Sequence, residues 1–163
     1  MKVEYINPFI ESVYELFSTM LECEATRGDV GVSREVPPNL DIVALIGLSG
    51  PARGIVALSF PVKTALAMVG RMLGMEMHIV DDTVKDGVAE LVNIVAGGAK
   101  AKFVQGEGRP IQLSLPTVVR GNSYTVDYPS CSAWLDVPFS SELGPFSLRV
   151  TFEMNDEPEG GSR

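Results

Sequence analysis

The sequence predicts an α+β fold with two layers, in which three helices pack on a largely antiparallel six-stranded sheet. Hydrophobic periodicity indicates the element order α-β-β-β-α-α-β-β-β. Short turns separate strands that are neighbours in sequence, which favours antiparallel pairing. The 163 residues, 45% of them apolar, suffice for one hydrophobic core. We expect a single domain over residues 1–154 and a polar, disordered tail over residues 155–163.

The first helix is predicted from Asn7 to about Glu24, because apolar side chains recur there every 3.6 residues. Asn7 is a candidate N-cap, and Pro8 is a candidate first helical residue, a position that needs no backbone N–H. Three strands rich in valine and isoleucine follow, separated by turns that contain proline: 30–36, 40–49 and 53–60.

The second half of the chain predicts two helices before three further strands. One helix runs over Pro61–Met72 and ends at Gly74, a residue that readily terminates helices. The next runs over about Thr83–Phe103, with Asp81 and Asp82 as candidate caps. The strands that follow are predicted over 111–120, 123–137 and 145–154.

Composition argues against several classes of function. A net charge of −8 disfavours binding to nucleic acid and to anionic membrane surfaces. No apolar stretch approaches the ~20 residues of a transmembrane helix, and Glu4 and Pro8 interrupt any signal peptide. Cys23 and Cys131 lie among apolar neighbours, as expected for buried thiols in a reducing compartment. We therefore expect a cytoplasmic protein with no membrane or nucleic-acid partner.

Motifs of common catalytic sites are also missing from the sequence. A single histidine, His78, does not suffice for a zinc site built on several histidines, and it lies in a predicted connector. No glycine-rich phosphate-binding loop occurs.

The third predicted helix separates its residues into two faces at 100° per residue. The apolar side comprises Val84, Val88, Leu91, Val95 and Ala99. The opposite side comprises Asp86, Glu90, Asn93, Gly97 and Lys100. Any amphipathic helix has a polar face, but asparagine is uncommon in a helix interior, and each glycine costs ~1 kcal/mol relative to alanine. Both features on one exposed face indicate a docking surface, where Gly97 would let another backbone approach closely.

This helix resembles a family motif. Asp86-Gly-Val-Ala-Glu90-Leu-Val-Asn93 matches the pattern [D/S]-x-x-x-E-x-x-N of the chemotaxis phosphatases of the CheC, CheX and FliY group. Further similar segments, in the same order as in CheX, cover nearly the whole chain except its tail: Asn7–Ile10, Gly54–Ser59, Met72–Gly74, Ile94–Lys100 and Pro116–Gly121. The resemblance implies a CheC/CheX-like fold and a homodimer in which strands of two subunits form one sheet.

The number of motif copies favours the CheX branch of this family. CheC-type members carry a second active copy on the first helix, where this chain has Glu11 but Tyr14 in place of asparagine. Tyrosine has no carboxamide, so we expect Tyr14 to pack in the fold. Gly98 departs from the family pattern, in which a polar residue is expected at this position near the end of the helix.

The resemblance implies that the substrate is a CheY-like response regulator phosphorylated on an aspartate. Asn93 would orient the attacking water, and Glu90 would pair with the regulator's active-site lysine. Asp86, Gly97 and Lys100 would contribute to partner binding, although Asp86 and Lys100 also fit as solvated residues. The regulator would supply Mg²⁺, and the chain would need no metal or other cofactor of its own.

Two other functions remain open from the sequence. One is a non-catalytic, CheC-like adaptor that binds a response regulator or a flagellar switch component. The other is an α+β domain that binds a small molecule in an apolar pocket. Exposure of Glu90 and Asn93 side by side on one flat helix face would favour docking to a protein, and burial of either residue in the core would favour the small-molecule domain.

Overall fold

The computed structural model describes residues 3–33, 41–103, 110–121 and 133–154. The helices are a 3₁₀ turn at Val3–Ile6, α1 at Asn7–Leu16 with a π-helical turn at Phe17–Leu21, α2 at Val62–Leu73 and α3 at Asp82–Phe103. The strands are β1 at Ala25–Arg27, β2 at Gly31–Ser33, β3 at Ile42–Ser49, β4 at Ala52–Phe60, β5 at Gln112–Leu113, β6 at Thr117–Arg120, β7 at Trp134–Ser141 and β8 at Phe146–Met154.

The helix ends mostly follow the sequence signals. The Asp81 carboxylate accepts a hydrogen bond of 2.9 Å from the Val84 backbone N–H, so Asp81 caps α3 as predicted. Gly74 ends α2 in the left-handed conformation, at φ 67°. The prediction that Asn7 is an N-cap is wrong, because the 3₁₀ turn leads into α1 through Ile6, whose backbone is itself helical.

Within the described ranges, all strand pairs are antiparallel and the sheet has eight strands, where the sequence predicted six. Its central strands run in the order β7-β8-β4-β3. At one edge, β1 and β2 both pair with β7; at the other, β5 and β6 both pair with β3. The two additional strands arise because each edge is made of two short pieces.

A bulge divides the predicted strand 111–120 into β5 and β6. Ser114 donates its backbone N–H to the Gly47 carbonyl, at 3.0 Å, and its hydroxyl accepts from the Gly47 N–H, at 2.8 Å. The pairing register with β3 shifts by one residue between the two pieces. Strand β1 pairs with the end of β7 and was not predicted.

Some predictions fall on parts of the chain that the structure does not describe. The predicted strand 123–137 begins, in the described residues, only at Trp134, and it extends as β7 to Ser141. Cys131 and the predicted tail 155–163 lie outside the described residues. Cys23 is half-buried and carries a free thiol, whose pKa is raised by burial and by the nearby Glu142.

The three helices pack on the sheet face that holds the main hydrophobic core. Helices α1 and α3 lie side by side. Aromatic rings of both helices pack against a ring of the sheet. The Phe9 ring of α1 lies 5.7 Å from that of Phe103 on α3 and 6.2 Å from that of Phe152 on β8. Beyond α1, Phe17 stacks on Phe146 of β8 at 5.6 Å. This arrangement leaves one long face of α3 turned away from the core.

Candidate active site

The two faces of α3 are confirmed. The predicted apolar residues are all fully buried: Val84, Val88, Leu91, Val95 and Ala99. On the opposite face Asp86 and Glu90 are exposed, while Asn93, Gly97 and Lys100 are half-buried. The structure therefore brings all five predicted site residues to one side of a single helix.

The acid and the amide at the centre of this face are available to a partner. Within the described residues no hydrogen bond or ion pair engages the side chain of Glu90 or of Asn93. The two residues are three positions apart, so they lie almost one helical turn from each other on the same surface. Neither is buried in its own core, which favours docking to a protein over a small-molecule pocket.

Helices α1 and α2 both pack closely against α3 behind this face. The buried Ser12 hydroxyl of α1 donates to the Val95 carbonyl of α3, at 2.8 Å. A methyl group at Gly98 would collide with that hydroxyl, so the glycine allows the two helices to come this close. In the first half of α3, Gly87 likewise accommodates Val69 of α2. These contacts set the position of α3 on the sheet.

The partnership between Ser12 and Gly98 was missed by reasoning from the sequence. A possible signal was present, because Ser12 interrupts the apolar face of the first helix, and Gly98 replaces a polar residue of the family pattern. The departure at Gly98 therefore has a local explanation: it fits the close contact between α1 and α3.

The related positions on α1 are used inside the molecule. Lys102 of α3 donates to a Glu15 carboxylate oxygen at 2.6 Å, and its Nζ lies 3.8 Å from a Glu11 oxygen. The hydrogen bond to Glu15 raises the pKa of Lys102. The ring of Tyr14 packs edge-on against that of Phe139 at 6.0 Å, in agreement with its predicted packing role. The Glu11–Tyr14 surface therefore lacks the unengaged acid and amide found on α3.

The structure also bears on metal binding and membrane insertion. Among the described residues, no cluster of three or more histidine, cysteine, aspartate or glutamate side chains could hold a metal ion. None of the helices in those same parts of the chain has both the length and the apolar character required to cross a bilayer.

Together, the antiparallel sheet, the helical layer and the exposed acid–amide face define an α+β domain of the CheC-like class. A solved CheC-like superfamily protein from Shewanella superposes with a TM-score of 0.82 and is 31% identical, over 94% of this chain and 99% of that one. CheX from Borrelia burgdorferi, solved in a complex, superposes with a TM-score of 0.76 at 22% identity, over 93% of this chain and 99% of that one.

Sequence comparison narrows the class to one family. The family model for chemotaxis phosphatase CheX matches residues 42–140. A relative from Thermotoga maritima, named CheY-P phosphatase CheX, is 30% identical over 127 residues, which are 77% of this chain and 81% of that protein. The chain belongs to the chemotaxis phosphatase CheX family.

Proposed function

We propose that this protein accelerates hydrolysis of the aspartyl phosphate on a CheY-like response regulator. The relative from Thermotoga maritima is named as a phosphatase of CheY-P, and the Borrelia burgdorferi CheX structure is a complex with CheY, BeF₃ and Mg²⁺. The observation that carries the proposal is the pair formed on the outward face of α3 by the exposed Glu90 and the half-buried Asn93, whose side chains are unengaged within the described residues.

Hydrolysis of an acyl phosphate requires few catalytic groups from a phosphatase. Phosphoryl transfer depends mainly on positioning and charge stabilisation. The regulator provides Mg²⁺, so this chain needs no metal or other cofactor of its own. What remains is to hold one water molecule in line with the phosphorus atom.

Asn93 is suited to orient that water. A carboxamide can accept from and donate to a water molecule, and it remains neutral beside the anionic phosphoryl group. Insertion of α3 into the regulator's active site would bring this amide to the reacting atoms.

Glu90 would secure the register of α3 on the regulator. Its exposed carboxylate, almost one turn before Asn93, is proposed to pair with the regulator's active-site lysine. A charge-assisted hydrogen bond of this kind is stronger in a water-poor interface than on an open surface. Asp86, one turn earlier, adds negative charge toward the same lysine, while Lys100 would contact the partner near the other end of the face.

Two further properties accompany this proposal. Both sheet edges consist of short strands, and pairing of one such edge between two copies would form the proposed homodimer with a continuous sheet. The proposed substrate is a cytoplasmic phosphoprotein, so the proposal implies a cytoplasmic location for this protein as well.

The direct test measures phosphate loss from a phosphorylated, Mg²⁺-loaded CheY-like regulator encoded in the same genome. We expect the wild type to accelerate the loss, and Asn93→Ala to reduce the rate at least ~10²-fold, about 2.7 kcal/mol of barrier. Binding should be retained, because the amide acts mainly on the water.

Asn93→Asp is the matched control, since it keeps the shape but brings an anion that cannot donate. It should be as slow as Asn93→Ala. An Asn93→Ala protein with full activity would exclude the assignment. Binding by the wild type without any acceleration would identify the adaptor function.

A further inference from the structure

Gly97 differs from the other helical glycines in what surrounds it. A methyl group at Gly70 would collide with the connector between α2 and α3. At Gly87 it would collide with Val69, and at Gly98 with Ser12. The fold itself therefore requires those three glycines. A methyl group at Gly97 would meet nothing within 4 Å among the residues that the structure describes. The described part of the fold therefore provides no steric reason for glycine at this position.

The backbone does not require glycine there either. Gly97 lies in the interior of α3, and it is absent from the glycines with positive φ. Glycine is among the least favourable residues inside a helix, and alanine is the most favourable. Gly97 is thus a destabilising residue on the outward face of α3 that neither the packing of the described residues nor the backbone geometry explains.

The position of Gly97 relative to Asn93 suggests the reason. The two residues are four positions apart, so they lie one above the other on the same ridge of α3, about 6 Å apart. Asparagine is a short side chain, and its amide reaches another protein's active site only if the α3 backbone comes very close. A methyl group one turn away would hold the two backbones apart.

We infer that Gly97 is the contact point at which the main chain of the docked response regulator packs directly against α3. This inference rests on the proposed function, and it assigns Gly97 a positioning role: its missing side chain sets how deeply Asn93 enters the partner. A displacement of about 1 Å at a reacting centre can cost 10²-fold in rate. Gly97 would therefore lower the stability of this protein but allow the close docking that its activity requires.

The test compares Gly97→Ala with Gly98→Ala, the same substitution at the neighbouring residue. Gly97→Ala should raise the Tm by about 2–4 °C, because it improves helix propensity without a collision. Gly98→Ala should lower the Tm, because its methyl group collides with Ser12. The two variants separate the effect on stability from the effect on docking.

The functional readouts are phosphate loss and binding to the regulator loaded with Mg²⁺ and beryllium fluoride, a mimic of the phosphoryl group. Gly97→Ala should reduce kcat/KM by roughly 10- to 100-fold. It should also raise the Kd for the loaded regulator, although the variant is more stable. Gly97→Leu, with a larger side chain, should lower kcat/KM further and raise the Kd further.

Each contrary result overturns a defined claim. A Tm that falls in Gly97→Ala would show that the fold does require this glycine. An active wild type together with a Gly97→Ala variant of unchanged rate and Kd would overturn the inference alone. A wild type that neither binds nor dephosphorylates any regulator would overturn the proposed function and the inference together.

Discussion

Helices α1 and α3 carry related patterns of polar residues, but the structure uses them differently. On α1, Glu11 lies near Lys102, and Tyr14 packs against Phe139. On α3, Glu90 and Asn93 have no such partner within the described residues. The two helices lie side by side on the same sheet, so this difference is local.

The comparison shows how an acidic helix face can be either structural or available for binding. A carboxylate that lies beside a lysine of the same chain has its charge partly neutralised toward any partner. An unengaged carboxylate next to an amide keeps its hydrogen-bonding capacity for another molecule. The sequence motif alone therefore identifies a candidate face, and the surrounding side chains decide its use.

The first prediction exchanges a charge for a neutral isostere on each helix. Glu90→Gln should weaken binding to the regulator loaded with Mg²⁺ and beryllium fluoride by about 2 kcal/mol, roughly thirtyfold, because the partner's lysine loses its counter-charge. Titration calorimetry measures this change.

Glu11→Gln is the matched control for that experiment. We expect its affinity to stay within about twofold of the wild type, since α1 lies outside the proposed interface. Equal losses in the two variants would show that both helices dock, and would remove the distinction between them.

The second prediction restores the missing asparagine on α1. Tyr14→Asn completes the E-x-x-N spacing, yet Asn93→Ala combined with Tyr14→Asn should remain inactive, because Glu11 still lies beside Lys102. The substitution should also cost about 1 kcal/mol of stability through the lost contact with Phe139. Phosphate-release assays and urea denaturation check these two effects. Recovered phosphatase activity would contradict the view that the contacts of Glu11 and Tyr14 keep the α1 face from acting on a regulator.

The third prediction has the smallest effect and concerns Lys102. Its pKa is raised in the folded protein by the hydrogen bond to Glu15, so the native state holds this proton more tightly than the unfolded chain. The resulting stabilisation is fully present below the ordinary lysine pKa of about 10.4, and it is lost as the pH rises through the higher folded value. As the pH rises above about 10.4, the wild type should therefore lose slightly more unfolding free energy than Lys102→Met.

Urea denaturation across that pH range provides the measurement. Lys100→Met is a useful control, because Lys100 is a nearby lysine on the opposite side of the same helix and makes none of the ion pairs found in the described residues. A pH dependence that is lost equally in both variants would argue against a specific role of the Lys102–Glu15 pair.

Local signals in the sequence were sufficient to predict the two faces of α3 and its N-terminal cap. The spacing of Val84, Val88 and Leu91 predicted the buried side, and the same periodicity placed Glu90 and Asn93 outside. The Asp81 cap was predictable as well, because the interaction spans only three residues. These features depend on helix geometry, which repeats every 3.6 residues and can be read from nearby positions.

The edges of the sheet could not be predicted in the same way. The division of one predicted strand into β5 and β6 depends on Ser114 bonding to Gly47, 67 residues earlier in the chain. Strand β1 has three residues, and it is defined by pairing with the distant end of β7. Strands this short carry too little periodicity to be recognised without their partners.

The sequence by itself determined the class of fold, the family resemblance and the helix face that carries Glu90, Asn93 and Gly97, because these follow from local order along the chain. Only the tertiary structure decided that Lys102 lies beside Glu11 on the related face of α1, that Ser12 requires Gly98, and that Gly97 has no packing role in the described fold. The physical reason is that unengaged groups and open space are properties of neighbours brought together by folding. Spacing along one helix shows which residues face outward, but the other elements decide which of them are left for a partner.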